Sequence, residues 1–211
     1  MSPRTGSGRN SSVEPYRLRR LRAWATLVTF MPPEPSEPQT LDLTTLKDQC
    51  KLSRGACLEL EEAASVMLTV HGQASPSEGT WEHITATSDI LIVWATPDDA
   101  MMRTHNNSKD ATEDGAYAVA VSAAFKLGFE VQGRTEQGSG ADYWMIRRGG
   151  DPRVVFHMEV SGIGKGGSPG NRLTGKTFQG KGGSMLNPGV AVVFRFSDVS
   201  LRSREWEAAP C

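Results

Sequence analysis

The sequence predicts an α/β protein, a mixed sheet flanked by helices, and three observations carry that prediction. Ala56 to about Val70 has helical spacing, and Ala111 to about Leu127 is a helix by its alanines between a capping Asp110 and Gly128. Short β-branched or alternating runs (Asp89 to Ala95, Phe129 to Gln132, Ala141 to Arg147, Val154 to Val160, Val190 to Phe196) read as strands. The second half therefore runs helix, three strands, glycine-rich loop, strand, an order that suits a mixed or antiparallel sheet.

Residues 1–38 read as a flexible arm. Residues 1–12 are rich in Ser, Gly, Arg and Asn, and Pro32 to Pro38 form a stiff extended linker. Between them Arg17 to Arg22 are basic and Ala23 to Phe30 apolar. That outline suits a signal peptide, but the apolar part is short and no small-x-small cleavage site follows, so a basic arm with a short strand or helix is preferred. The folded body starts near Leu41.

In the first helix Leu58, Ala63, Val66 and Val70 share a face. Glu59, Glu61 and Glu62 occupy the early turns that favour negative charge, and Gly72 suits the C-terminal cap. Thr96-Pro97-Asp98-Asp99 reads as the start of a short helix that ends at His105-Asn106-Asn107-Ser108. Asp110 is expected to cap the next helix, with Gly128 just past its end. Gln137 to Gly140 and Gly149 to Pro152 are turns. The resulting division is an arm over 1–38, a helical and strand subdomain over 39–109, a core over 110–200 and a tail over 201–211.

Composition excludes several classes. The 211 residues are 38% hydrophobic and 22% charged, ordinary for a globular chain, and the net charge of -1 is not that of a polyelectrolyte binder. Any nucleic-acid affinity must come from local basic patches. Cys50, Cys57 and Cys211 make an odd number without CxxC spacing, so a disulfide framework is not expected and a reducing, cytoplasmic setting is. The four histidines lack zinc-site spacing. No apolar run is long enough to span a bilayer, so no membrane association is expected.

Chemistry concentrates in the second half. Alternation along Phe156 to Ser161 puts Phe156, Met158 and Val160 on a core face and His157, Glu159 and Ser161 on the other. Asp142 follows a turn on the preceding strand, where its carboxylate can approach Glu159. Glu113 and Asp114, early in the preceding helix, bring a third acid toward the same place. Such carboxylates suit Mg²⁺ (or Mn²⁺), which takes one or two protein carboxylates plus water and phosphate oxygens.

This pattern of helix acid, strand Asp and strand Glu-x-polar resembles the PD-(D/E)XK nuclease superfamily over roughly residues 110–197. The resemblance implies a restriction-endonuclease-like core and Mg²⁺-dependent phosphodiester hydrolysis. Asp142 and Glu159 would be the metal ligands, Glu113 a supporting acid, and Ser161 would stand where the family usually has lysine. Lys165, Lys176 or Lys181 then becomes the candidate to restore the missing cation. Glu113-Asp114-Gly115-Ala116, Gly140 to Tyr143 and Glu159 to Gly162 also look like stretches of small uncharacterised bacterial proteins found with mobile-element or defence genes. The alternative is a non-catalytic subunit of the same fold that binds nucleic acid or a protein partner, a second copy included.

Residues 162–183 hold nine glycines, four basic residues (Lys165, Arg172, Lys176, Lys181) and no acid, a flexible cationic loop suited to a phosphate backbone. Within it Gly170 to Thr177 satisfies GxxxxGK[ST], a weaker alternative that implies NTP binding. That motif needs a strand before the loop and a helix after it, and the residues following Thr177 read as a poor helix. His157 reads as a structural histidine, and Trp81, Trp94, Trp144 and Trp206 as packing residues.

Overall fold

Alternating and helically spaced apolar residues resolve into eight strands and five α-helices in the computed structural model, which describes residues 38–136, 140–183 and 187–208. Except for Pro38, the expected arm lies outside the described residues, as do 137–139 of the predicted turn. The order is β1 (Gln39–Asp42), α1 (Leu46–Gln49), α2 (Arg54–Val70), β2 (Ser77–His83), β3 (Ala86–Val93), α3 (Asp99–Thr104) and α4 (Ser108–Lys126). Then come β4 (Phe129–Arg134), β5 (Tyr143–Arg147), β6 (Val155–Ile163), α5 (Pro169–Gly183), β7 (Gly189–Arg195) and β8 (Ser200–Trp206).

All eight strands form one mixed sheet in the order β1-β3-β2-β8-β7-β6-β5-β4. β4, β5 and β6 are an antiparallel meander, α5 crosses over to place β7 parallel to β6, and β8 returns antiparallel. β8 also pairs in parallel with β2, which joins residues 39–109 to the rest in a single sheet. The expected division at 109/110 therefore does not interrupt the sheet. Residues 201–206, expected to begin a tail, belong to the strand β8 because Leu201, Ser203 and Trp206 turn into the interior.

The sheet curls around α4. Just after β1, Cys50 bridges to Val131 of β4 at the far edge, and the Lys51 N–H donates to the Val131 carbonyl at 2.8 Å. α4 is consequently apolar nearly all round: Ala116, Ala118, Val119, Ala120, Val121 and Ala123 are all fully buried. α2 lies along its outer side, and a Cβ at Gly115 would come within 3.0 Å of Ala64 Cα.

The helix starts differ from expectation in detail. Asp98, not Thr96, caps α3 by accepting from the Met101 N–H at 2.8 Å. Asn107, not Asp110, caps α4, which begins three residues earlier than predicted. Gly72 and Gly128 take positive φ just beyond α2 and α4, as expected of C-terminal caps.

The largest correction concerns residues 162–183. The expected glycine-rich loop is the end of β6, a short turn and the helix α5. Ser168 begins that helix, its hydroxyl accepting from the Asn171 N–H at 3.3 Å, and Pro169 follows at the first helical position. Leu173, Thr177 and Gly180 face inward; with Ile163, Ala191, Val193 and Trp206, Leu173 makes a second small apolar cluster. Gly180 is required there because the Trp206 ring occupies the space a Cβ would take. Among the described residues, no helix is long and apolar enough to cross a membrane.

Candidate active site and its basic groove

Asp142 is held by the strands on both sides of it. Its N–H donates to the Met158 carbonyl at 3.0 Å, and its carbonyl accepts from the Thr135 N–H at 3.1 Å. The side chain turns toward β6, where Oδ2 accepts from the Val160 N–H at 2.7 Å. Oδ1 accepts from the Tyr117 hydroxyl at 3.1 Å, and the same hydroxyl lies 3.0 Å from Glu113 Oε1. One phenolic hydrogen serves both acids, so Glu113 meets Asp142 through Tyr117. Burial, reinforced by Asp142 and Glu113, pushes the Tyr117 pKa far up and keeps the phenol a donor.

Glu159 projects from β6 onto the α5 face, as alternation requires, and is 1% exposed. A carboxylate buried so deeply needs partners. It has two, both from α5: Lys176 Nζ lies 2.8 Å from Oε2, and Gln179 Nε2 donates to Oε1 at 3.3 Å. Lys176 Nζ is also 4.0 Å from Asp142 Oδ2. Burial raises the Glu159 pKa from 4.5 to about 6; the Lys176 hydrogen bond opposes that rise and the Asp142 charge adds to it. Two carboxyl groups, of Asp142 and Glu159, thus share one lysine.

A cavity of about 430 Å³ opens over this cluster, lined by Tyr117, Arg134, Asp142, Tyr143, Glu159 and Gln179 among others. A neighbouring groove of about 650 Å³ shares Gln179 and adds Lys165, Arg172 and Lys176, with no acid in its lining. Along α5, the cationic groove therefore abuts the acidic cavity.

The structure brings Asp142, Glu159 and Lys176 together and links Glu113 to them. Asp114 instead faces Arg134, at 3.7 Å. Ser161 is nearly buried on β6 and lines neither cavity. Lys165 and Arg172 line the groove, while Lys181, exposed in the last turn of α5, does not. His157 Nε2 lies 3.3 Å from Asn187 Nδ2, and burial lowers its pKa. All eight residues of the GxxxxGK[ST] match lie inside α5, so the phosphate-cradling loop that the motif requires is not formed.

The chain matches no family model, no curated protein and no solved structure. What it does must be argued from the site itself.

Among the described residues, no group of three or more His, Cys, Asp or Glu side chains is assembled to hold a metal ion. Asp142 and Glu159 offer two hard oxygen donors, a set that Mg²⁺ accepts when water and phosphate complete its shell. Sequence reading missed Tyr117 and Gln179. Tyr117 had a signal, four residues after Glu113 on a predicted helix. Gln179 had one only once α5 was known to be helical, three residues after Lys176.

Proposed function

We propose that this chain is a metal-dependent nuclease of PD-(D/E)XK type, with a restriction-endonuclease-like core, acting on nucleic acid. The observation that carries the reading is Lys176 reaching from α5 to Glu159 at 2.8 Å and to Asp142 at 4.0 Å. The strand lysine that Ser161 lacks thus has a replacement from the neighbouring helix. The order on which the resemblance rests (helix acid, strand Asp, strand Glu) is the order of Glu113 on α4, Asp142 before β5 and Glu159 on β6. The basic groove supports a phosphate backbone leading into the acidic cavity.

Asp142 and Glu159 would hold Mg²⁺ or Mn²⁺, which when bound activates water and neutralises charge on a phosphodiester. Lys176 orients between the two acids and presents positive charge to the incoming phosphate. Tyr117 fixes the Asp142 carboxylate and couples it to Glu113. Arg134, stacked against the Tyr117 and Tyr143 rings, lines the opposite part of the cavity.

The deciding experiment incubates end-labelled DNA and RNA with the full chain and Mg²⁺ or Mn²⁺. Cleavage should fall on the order of 10³-fold in Asp142→Ala and in Glu159→Ala, since the metal's charge stabilisation is worth several kcal/mol. Circular dichroism should show both variants folded. Calorimetry should show divalent-ion binding that Glu159→Ala loses. Unchanged cleavage in both variants would remove the assignment.

A second reading has its own observation. The 2.8 Å contact between Lys176 and Glu159 is already a complete buried ion pair, as a non-catalytic nucleic-acid-binding subunit of the same fold would have. Salt-sensitive binding without metal uptake or cleavage would favour it.

A further inference from the structure

α5 carries a large apolar side chain that its packing does not use. Leu173 and Thr177 are buried against the sheet, whereas Phe178 is 79% exposed. Other apolar side chains of this size in α5 and the strands beneath it are mostly covered, so Phe178 leaves a flat ring in water beside charged neighbours.

Its position determines what that ring can meet. Asn171, Gly175 and Phe178 follow i, i+4, i+7 spacing and form one stripe of the helix, and the first two line the basic groove. Long helical side chains lean over the preceding turn. Phe178 stands one turn after Gly175, which has no side chain and where an added Cβ would meet nothing within 4 Å, so the space beside the ring on that stripe is open. An exposed aromatic ring therefore continues the stripe of Asn171 and Gly175, beside a groove that carries Lys165, Arg172 and Lys176. Trp144, the other partly exposed aromatic on this side of the sheet, is a poorer platform. Its indole nitrogen lies 3.0 Å from where a Gly133 Cβ would sit, so part of the ring already covers the backbone of β4.

Duplexes present phosphates and keep their base faces stacked inside; single strands present both. Cations along a groove with an aromatic ring at its edge are the combination that holds unpaired strands, because every base has a face to stack. Resting on the nuclease reading above, we infer that the groove takes single-stranded nucleic acid. One base stacks on Phe178 while the adjoining phosphates meet Arg172 and Lys176. Substrate choice is then made on α5, outside the acidic cavity.

The test is fluorescence anisotropy on the full chain, without divalent ions and at low salt, using a labelled DNA strand, the RNA strand of the same sequence and the matching DNA duplex. At least one single strand should bind about ten-fold more tightly than the duplex. Phe178→Ala should weaken single-strand binding about ten-fold, the equivalent of one base stacked on an aromatic side chain, and leave duplex binding unchanged. Phe178→Trp should retain single-strand binding. At such an exposed position neither variant threatens the fold. Tighter duplex binding, or no effect of Phe178→Ala on single strands that Arg172→Ala does weaken, would overturn this inference and leave the nuclease reading standing. A wild-type chain that binds none of the three would overturn both.

Discussion

Two helices pack on opposite faces of the same strands, and they are built on opposite principles. α4 is enclosed by the curled sheet and α2, and its small apolar side chains are matched to that space. α5 touches the sheet along one stripe, Lys176 reaches from beside it to Glu159, and its other sides carry Arg172, Asn171 and Phe178 toward solvent. Both contain glycines at close approaches: Gly115 where α4 meets Ala64, Gly180 where α5 meets Trp206. The difference lies in what surrounds them. α4 makes the fold, and α5 brings polar groups to a carboxylate that the fold has buried. Both helices reach the candidate site, α4 through Glu113 and Tyr117 and α5 through Lys176 and Gln179.

Three substitutions put that contrast at risk. The largest effect is expected for Gly115→Val. Two methyl groups have no room between Ala64 and Phe196, and overpacking should lower unfolding free energy by about 3 kcal/mol, measured by urea denaturation. An unchanged midpoint would show that α4 is less tightly held than its burial implies.

Next is Lys176→Met, which leaves Glu159 buried without its ammonium. Glu159 already has a folded-state pKa raised from 4.5 to about 6, so folding takes up a proton between those values. Its contribution to stability is therefore most favourable at low pH and declines as pH rises through about 6. Losing Lys176 pushes the pKa higher and extends the decline. The variant should be about 2 kcal/mol less stable than wild type at pH 8 and nearly equal to it at pH 5, since a buried acid can take a proton instead of a partner. Adding Glu159→Gln to that variant should remove most of the pH dependence. A deficit that is the same at both pH values would mean that Lys176 acts through packing alone.

The smallest effect has the opposite sign. Gly175 is helical and open on its outer side, so Gly175→Ala should raise stability by about 1 kcal/mol, read as a higher thermal midpoint. No such gain is available at Gly115.

The sequence was most legible where a single pattern dominated. Alternation in Phe156 to Ser161 placed Glu159 opposite Met158 and Val160, and the structure keeps that arrangement, with α5 rather than solvent over the acid. α2 was read from spacing, although Leu58 and Val70 of the predicted face are exposed, and α4 from its alanines and the glycine past its end. α5 did not, because nine glycines over 162–183 look like freedom when the ring of Trp206 is not in view. Ser168-Pro169 is a helix start that the glycine content hid. β1 and β2 were missed for a related reason: their pattern is half exposed, and pairing with β3 and β8 makes them strands. Of the candidate site, Glu159 was legible from alternation, Asp142 from the turn before its strand and Glu113 from its place early in a helix. Lys176 was legible only as one of several cations, since its reach to Glu159 depends on a helix the residues did not advertise.

The place of β8 has a consequence in time. Thr80 pairs with Ser200, so the strand that joins the two halves of the sheet follows almost everything else in the described chain. As the polypeptide leaves the ribosome, β2 has β3 on one side and an open edge on the other. Such edges invite pairing with foreign strands. Contacts this distant in sequence also slow folding. Until β8 arrives that edge stays open, and conditions that lengthen the interval should lower the yield of folded protein without touching its final stability.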